Sequence, residues 1–306
     1  MNPLIVAIIA TYRRPSDLAR MLRSLQSAST PLAVVVVDNA DDPATQAVVE
    51  AAQETREVLR LVPGENLGCG GGLAFGERFA LAHFAGRVTH FLLADDDVEV
   101  APGTLERLVE AMREEGAALA CPMITWPDGT IGWFPGMLEA PPFDAVRKRR
   151  VRTQEQYLAQ FGPRPIRFSW ATGAILMVTR ETLEALGLHR TDFLIRGEDC
   201  EFSLRITAQS PGIYVPDTRV SHYCFSGPLT PEALAAERRK QVAMLHNTAY
   251  ISFRLPHGRR ILRCLPGNLW RHVKNWGPSG ILEGLKAYWR GAVGGHPAGT
   301  GVAFPQ

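Results

Sequence analysis

His90-Phe91-Leu92-Leu93-Ala94-Asp95-Asp96-Asp97-Val98 reads as an apolar strand that runs into three consecutive carboxylates. Adjacent anions repel one another and desolvate badly, so a folded chain gives such a strand end a partner charge. Two readings stand at this point. One is a hard divalent cation, which takes oxygen ligands and bridges to phosphate. The other is a solvated acidic turn that caps the following helix.

Working outward, the strand is the fourth of a series. Residues 4–10, 32–37, 58–62 and 88–94 are apolar runs of strand length. Helix signals lie between them: Pro15 with Leu18, Met21, Leu22 and Leu25 at helical spacing, then residues 43–54 and a helix opened by the glycine-rich 68–76. A further helix is expected over 102–115. Regular alternation with near-continuous apolar strands predicts an α/β fold, a mostly parallel central sheet flanked by helices. Ligands in such sheets bind beyond the carboxyl ends of the strands. Thr11-Tyr12-Arg13, Asp38-Asn39, Asn66 and the three aspartates all fall at such ends.

The second half is less regular. Residues 124–133 suggest a hairpin turned by Pro127-Asp128-Gly129, and 141–167 a Pro- and Arg-rich excursion, a mobile loop or short helical insert. Strands are expected at 174–178, 212–215 and 220–225, the last carrying His222, with helices at 182–186 and 198–208. From Pro231 the chain reads as helical, through Phe253 and again over 281–288.

Composition bounds the function. The 306 residues are 46% hydrophobic and 21% charged with a net charge of +2, which makes no case for nucleic acid as a partner. From Pro228 onward, however, there are 11 Lys/Arg against 3 Asp/Glu. A basic tail behind an acidic body suits phosphates, an acidic partner or an anionic membrane surface, or is simply a solvated helical face. The five cysteines (Cys69, Cys121, Cys200, Cys224, Cys264) show no CxxC or zinc spacing and read as reduced thiols. No apolar run approaches the ~18–20 residues of a membrane span. The first residues read as a short apolar strand with no basic region or cleavage site before it, so no leader is expected. A cytoplasmic location is expected, with peripheral contact at the inner face of the membrane as a further option.

Four motifs carry chemistry, each with a plainer alternative. Asn66-Leu67-Gly68-Cys69-Gly70-Gly71-Gly72 fits neither GxGxxG nor GxxxxGK[ST]. Its bare backbone at a helix start favours contact of Gly70 and Gly71 with a phosphate or sugar over a flexible turn. Glu198-Asp199 either complements a helix dipole or supplies a general base, Asp199, with Glu198 holding an acceptor hydroxyl. His222 is a structural histidine or the nitrogen ligand of a borderline metal such as Mn2+. Trp170 is a core residue or a platform for a sugar face.

Taken in order, these pieces resemble the inverting nucleotide-sugar glycosyltransferases of family 2. Ile8-Ile9-Ala10-Thr11-Tyr12-Arg13-Arg14-Pro15 resembles the family's opening strand and turn, and Val35-Val36-Val37-Asp38-Asn39 its second strand. Asp95-Asp96-Asp97 stands in the place of the DXD metal motif. Gly197-Glu198-Asp199-Cys200-Glu201 resembles the base motif, and Val220-Ser221-His222 the late metal-ligand histidine. The glycine segment and triple aspartate look most like the galactofuranosyl- and rhamnosyl-transferase branch. The tail departs from that branch, with His246-Asn247-Thr248-Ala249-Tyr250 where an aromatic-Arg-Asn segment is usual.

The resemblance implies a GT-A (Rossmann-like) fold over residues 1–227, with a nucleotide-sugar half over about 1–120 and an acceptor half over about 121–227. A basic, mainly helical C-terminal extension would follow over 228–306. It implies a nucleoside-diphosphate sugar as donor, UDP- or dTDP-linked, held by Thr11, Arg13, Asp38, Asn39, Asn66, Gly70, Gly71, Asp95 and Asp96. Asp95, Asp97 and His222 would hold Mn2+ or Mg2+. Asp199 with Glu198 would be catalytic, and Trp170 with Glu198 would bind a glycan, lipid-linked or small-molecule acceptor. The extension is left between a membrane contact, a homodimer interface and packing on the catalytic part. Two other functions stay open: a sugar-phosphate nucleotidyltransferase, which would need a basic glycine-rich loop after the first strand, and a non-catalytic nucleotide-sugar-binding module.

Overall fold

A computed structural model describes residues 4–137, 150–171, 173–193, 195–224, 230–262 and 264–297. The strands are β1 (Leu4–Thr11), β2 (Leu32–Asp38), β3 (Val58–Leu61), β4 (Val88–Asp95), β5 (Val98–Val100), β6 (Leu119–Thr125), β7 (Gly136–Met137), β8 (Ile166–Trp170), β9 (Ile175–Thr179) and β10 (Gly212–His222). They form one sheet in the order β3-β2-β1-β4-β9-β6-β10-β8-β7, with β5 paired to β10 beside this path. Following the pairings, β9, β8 and β5 run against the rest, so the sheet is mostly parallel as expected.

Registers decide where the strand ends fall. Thr11 pairs with Asp38 across β1 and β2, and Ala10 with Asp95 across β1 and β4. Three polar strand ends are thereby placed side by side at the carboxyl edge. β1 and β2 are apolar throughout because helices cover both faces of this part of the sheet. These are α1 (Pro15–Ser24), α2 (Pro43–Gln53), α3 (Gly68–His83) and α4 (Thr104–Glu115). α1 starts on Pro15, which needs no partner for a missing N–H, and buries Leu18, Met21 and Leu22. The Asp42 side chain caps α2 by accepting from Ala44 N at 3.0 Å.

The second half departs from the sequence expectations in two places. Residues 212–215 and 220–225 are not two strands: β10 runs from Gly212 to His222, and a register shift between Val215 and Arg219 accommodates Pro216. Residue 225 lies outside the described residues. The hairpin expected at 124–133 is reduced to an isolated bridge between Thr125 and Ile131, although its Gly129 turn forms with φ +81°. The described part of the 141–167 excursion contains α5 (Gln154–Phe161), capped by Thr153; residues 138–149 lie outside the description.

α6 (Arg180–Leu186) and α7 (Glu198–Thr207) complete the body, and α8 (Pro231–Arg254), α9 (Cys264–Trp276) and α10 (Pro278–Val293) form the extension. The extension shares a second apolar cluster with the body: Phe193 and Leu204 from one side, Tyr250, Ile251 and Ile261 from the other. α10 lies close against α8, because a Cβ on Gly291 would collide with the His246 carbonyl.

Candidate active site

The aspartate triplet leaves β4 at Asp95, and Asp96 and Asp97 are met by side chains from three places in the chain. Thr11 Oγ1 donates to Asp96 Oδ2 at 2.7 Å, and Arg14 Nη1 donates to Asp96 Oδ1 at 2.8 Å. The other arm of the Arg14 fork reaches Asp97 Oδ2 at 3.0 Å. His222 Nε2 lies 3.0 Å from Asp97 Oδ1. β5 begins directly after the triplet and pairs antiparallel with β10, His222 opposite Val98, so a residue 125 positions away is brought to Asp97. One ligand atom each from Asp95, Asp97 and His222 lies within 4.8 Å of the other two. Two carboxylates and an imidazole are a donor set suited to Mn2+.

Electrostatics agree with a site that expects a cation. Burial and the neighbouring Asp97 push the Asp95 carboxyl well above its ordinary range. Burial raises Asp96 to about 6, against the opposing pull of Arg14 and Thr11. Burial also works on Asp97, but His222 and Arg14 hold it below its ordinary value. His222, which burial alone would lower, is lifted to about 10 by its bonds to Asp97 and Cys224. The triplet is thus balanced by protons and by Arg14, and a divalent cation could take over that role.

The second carboxylate pair stands at the start of α7. The chain reaches it through Arg196 and Gly197, both left-handed at φ 60° and 109°. Gly197 tolerates that angle without strain, whereas Arg196 does not. Asn247 on α8 secures this turn: its Nδ2 donates to the Ile195 and Arg196 carbonyls at 3.1 and 2.6 Å. Asp199 Oδ2 accepts from Gly173 N and Oδ1 from Cys200 N, each at 2.7 Å. One further lone pair stays on each oxygen, so the carboxylate is oriented without being used up. A Cβ at Gly173 would lie 2.6 Å from Asp199 Cβ, so only glycine lets the donor approach. Glu198 is buried, and its Oε2 has no hydrogen-bond partner. Burial and the charge of Asp199 raise its carboxyl to about 7.

The two pairs are neighbours: Asp95 N donates to the Ala174 carbonyl, Gly173 N to Asp199, and the charge of Glu198 acts on Asp95. Cys69 lies among them, its thiol pushed far up by burial and then by Asp95, Glu198, Asp199 and Asp96. Asn39 is at the same edge, its Oδ1 accepting from Leu67 N at 3.2 Å. Asn66 caps the glycine turn through Gly68 N at 2.9 Å. Arg13 is exposed, at φ 55°, with its guanidinium 5.3 Å from the Tyr12 ring centre.

Several expected roles change on this geometry. Gly70 and Gly71 are buried inside α3, where packing by itself already calls for glycine. A Cβ on Gly70 would meet Glu198 Cβ at 3.0 Å, and one on Gly71 would meet Leu67 Cβ at 2.8 Å. Gly72 and Gly76 continue the pattern against Asn39 and Ile8, so the glycine run lets α3 lie directly on the sheet. Asp38 is fully buried. It accepts from Ala40 N and Asp42 N at 3.0 Å and from Arg60 Nη2 at 2.7 Å, which fixes the turn into α2. Thr11 serves Asp96 first. Trp170 is half-buried against Gly136 and the second apolar cluster, with its Nε1 hydrogen unpartnered.

Sequence reasoning overlooked the residues that act on the motifs. Arg14, next to the chosen Arg13, is the cation that holds the triplet. Trp126 and Trp133 flank His222, with ring centres 6.0 and 6.2 Å from it. Glu77 and His189 form a buried pair at 2.7 Å that ties α3 to the segment before α7. A glutamate on a helix whose other residues are mostly small or apolar is the one available signal for this pair. Nothing in the spacing pointed to His189.

Comparison with known proteins supplies a frame for this site. The family model for glycosyl transferase family 2 matches residues 6–179. The chain is 29% identical over 237 residues to galactofuranosyltransferase GlfT1 of Mycobacterium tuberculosis, covering 76% of this chain and 74% of that protein. Among solved structures, a mannosyltransferase from Pyrobaculum calidifontis, in complex with GDP-Man and Mn2+, is similar at TM-score 0.59 and 19% identity. The match covers 96% of this chain and 76% of that one. TarS residues 1–349 from S. aureus, in complex with UDP-GlcNAc, are similar at TM-score 0.60 and 13% identity, covering 94% and 81%. These likenesses bear out the GT-A fold that the motifs implied.

Proposed function

This chain belongs to glycosyl transferase family 2, and we propose that it moves a sugar from a UDP-linked donor to an acceptor hydroxyl with inversion at the anomeric carbon. The observation that carries the reading is the meeting of two differently prepared carboxylate pairs at one sheet edge, Asp95/Asp97 with His222 and Glu198 with Asp199. Family membership sets aside the nucleotidyltransferase. A non-catalytic module would have no use for a carboxylate aimed by two backbone N–H groups.

Asp95, Asp97 and His222 would hold Mn2+ or Mg2+. Bound there, the cation supplies charge neutralisation for a diphosphate leaving group. Arg14 then keeps Asp96 and Asp97 in place. Asn39, Asn66 and the exposed Arg13 are the groups at this edge with capacity left for the nucleotide, and Asp38 acts by setting the turn that carries Asn39. Asp199 takes the proton of the acceptor hydroxyl as the acceptor oxygen bonds the anomeric carbon, while the bond from that carbon to the diphosphate breaks and the diphosphate leaves with the electron pair. Glu198, whose carboxyl is raised to about 7, offers an O–H to the acceptor when it holds its proton, and Trp170 borders that side. GlfT1 is named a galactofuranosyltransferase, which favours a furanose donor here.

The reading is tested by incubating the chain with UDP-sugars and measuring UDP release and thermal shift, with Mn2+ and after chelation. We expect stabilisation by UDP plus Mn2+, with transfer lost in chelator and restored by Mn2+. Full turnover in chelator would remove the metal role of Asp95, Asp97 and His222.

A further inference from the structure

We propose that the outer face of α9 and α10 docks on the surface of an anionic phospholipid bilayer. α10 carries two opposite stripes. Gly280, Gly284, Ala287 and Gly291 are buried, while Ile281, Leu282, Leu285, Trp289 and Val293 are exposed, Trp289 by 69%. Spacings of three and four place the exposed set along one side of the helix. Single exposed apolar side chains are ordinary on a protein surface, but a continuous stripe of five is not.

The charges around the stripe select the occupant. Lys286 and Arg290 are exposed beside it, and on α9 the exposed Trp270 is followed by exposed Arg271 and Lys274. α9 and α10 contain one carboxylate, Glu283. It is turned to Arg238 Nε at 2.8 Å and His272 Nε2 at 3.1 Å, so the outer face holds cations without anions. A second copy in two-fold contact would set this cationic face against itself. Anionic headgroups supply the missing counter-charge, and indole rings suit the boundary between headgroup and acyl chain. No helix of the described residues is long and apolar enough to cross a membrane. α10, about 24 Å long at 1.5 Å per residue, would lie in the interface plane. This inference is independent of the donor chemistry.

The test is co-sedimentation of the full chain with vesicles of phosphatidylcholine alone or mixed with phosphatidylglycerol. We expect binding to the mixed vesicles that falls steeply at high salt, with a blue shift of tryptophan emission. Lys286→Glu with Arg290→Glu, and separately Leu285→Ser with Trp289→Ser, should each lower binding about tenfold or more. Circular dichroism and melting temperature should be unchanged. Should the serine pair fail to fold, Lys286→Gln alone and the salt dependence of the unaltered chain take its place. Absence of binding to anionic vesicles overturns the proposal. So does binding indifferent to both double variants, or a dimer that the serine pair dissociates while vesicles are ignored.

Discussion

The two carboxylate pairs of the site differ in how their charge is managed. The triplet at β4 is balanced from within: Thr11, Arg14 and His222 supply a partner to Asp96 and Asp97. At α7, Asp199 is held by two backbone N–H groups and Glu198 Oε2 by nothing. The first arrangement is stable before any ligand arrives, so it can persist as a prepared cradle. The second keeps acceptor capacity unspent, which suits groups whose partners are a proton and a hydroxyl. The proposed function puts binding at the first group and chemistry at the second, with Cys69 near both.

The sharpest way to break this contrast is Asp199→Asn. The amide keeps an oxygen for Gly173 N, so the loop is retained. Turnover should fall by about 10^3-fold or more, while UDP–Mn2+ affinity measured by calorimetry stays within about twofold. Loss of nucleotide binding instead would move Asp199 to the binding side.

A smaller effect is expected at the triplet. Arg14→Gln removes the fork from Asp96 and Asp97 and should cost about 1–2 kcal/mol, less than for a wholly buried pair because Arg14 is partly exposed. Denaturant titrations with chelator and with Mn2+ should show the loss shrinking when the cation is present. An equal loss in both conditions would mean that the cation does not neutralise these carboxylates.

The most diagnostic effect is the pH dependence at Glu198. Its carboxyl is raised to about 7 in the fold, above the ordinary 4.5, so the folded state holds the proton more tightly than the unfolded chain. Stability is therefore lost as pH rises between those values, because a buried anion must form. Glu198→Gln carries no such proton. Its stability relative to the unaltered chain should be near zero at pH 5 and grow to about 1–3 kcal/mol in its favour at pH 8. A difference that is flat with pH would show that Glu198 ionises without penalty.

The sheet edge was legible because parallel βα units write their strands as apolar runs and their sites as polar strand ends. Thr11, Asp38 and Asp95 were placed correctly at that edge for this reason. Their partners were not legible. Arg14 and Arg13 are equivalent in sequence, and only the backbone turn at Arg13 decides which guanidinium reaches the aspartates. Gly70 and Gly71 carry two readings in the sequence because close packing of a helix and close approach of a ligand both remove the Cβ. Asp38 does too, because a strand-end carboxylate can hold a nucleotide or fasten a turn. Asn247, Glu77 and His189 act through tertiary contacts that leave no local pattern.

The three-residue ladder between β5 and β10 has a further consequence. It closes a loop of more than one hundred residues, a contact that carries a large loop-closure entropy. A slip of one position would turn His222 to the opposite face of the sheet. The cation-binding set is therefore completed only by chains that have finished aligning this strand, and a metal ion that prefers the full set would favour correctly registered molecules over their near-native competitors.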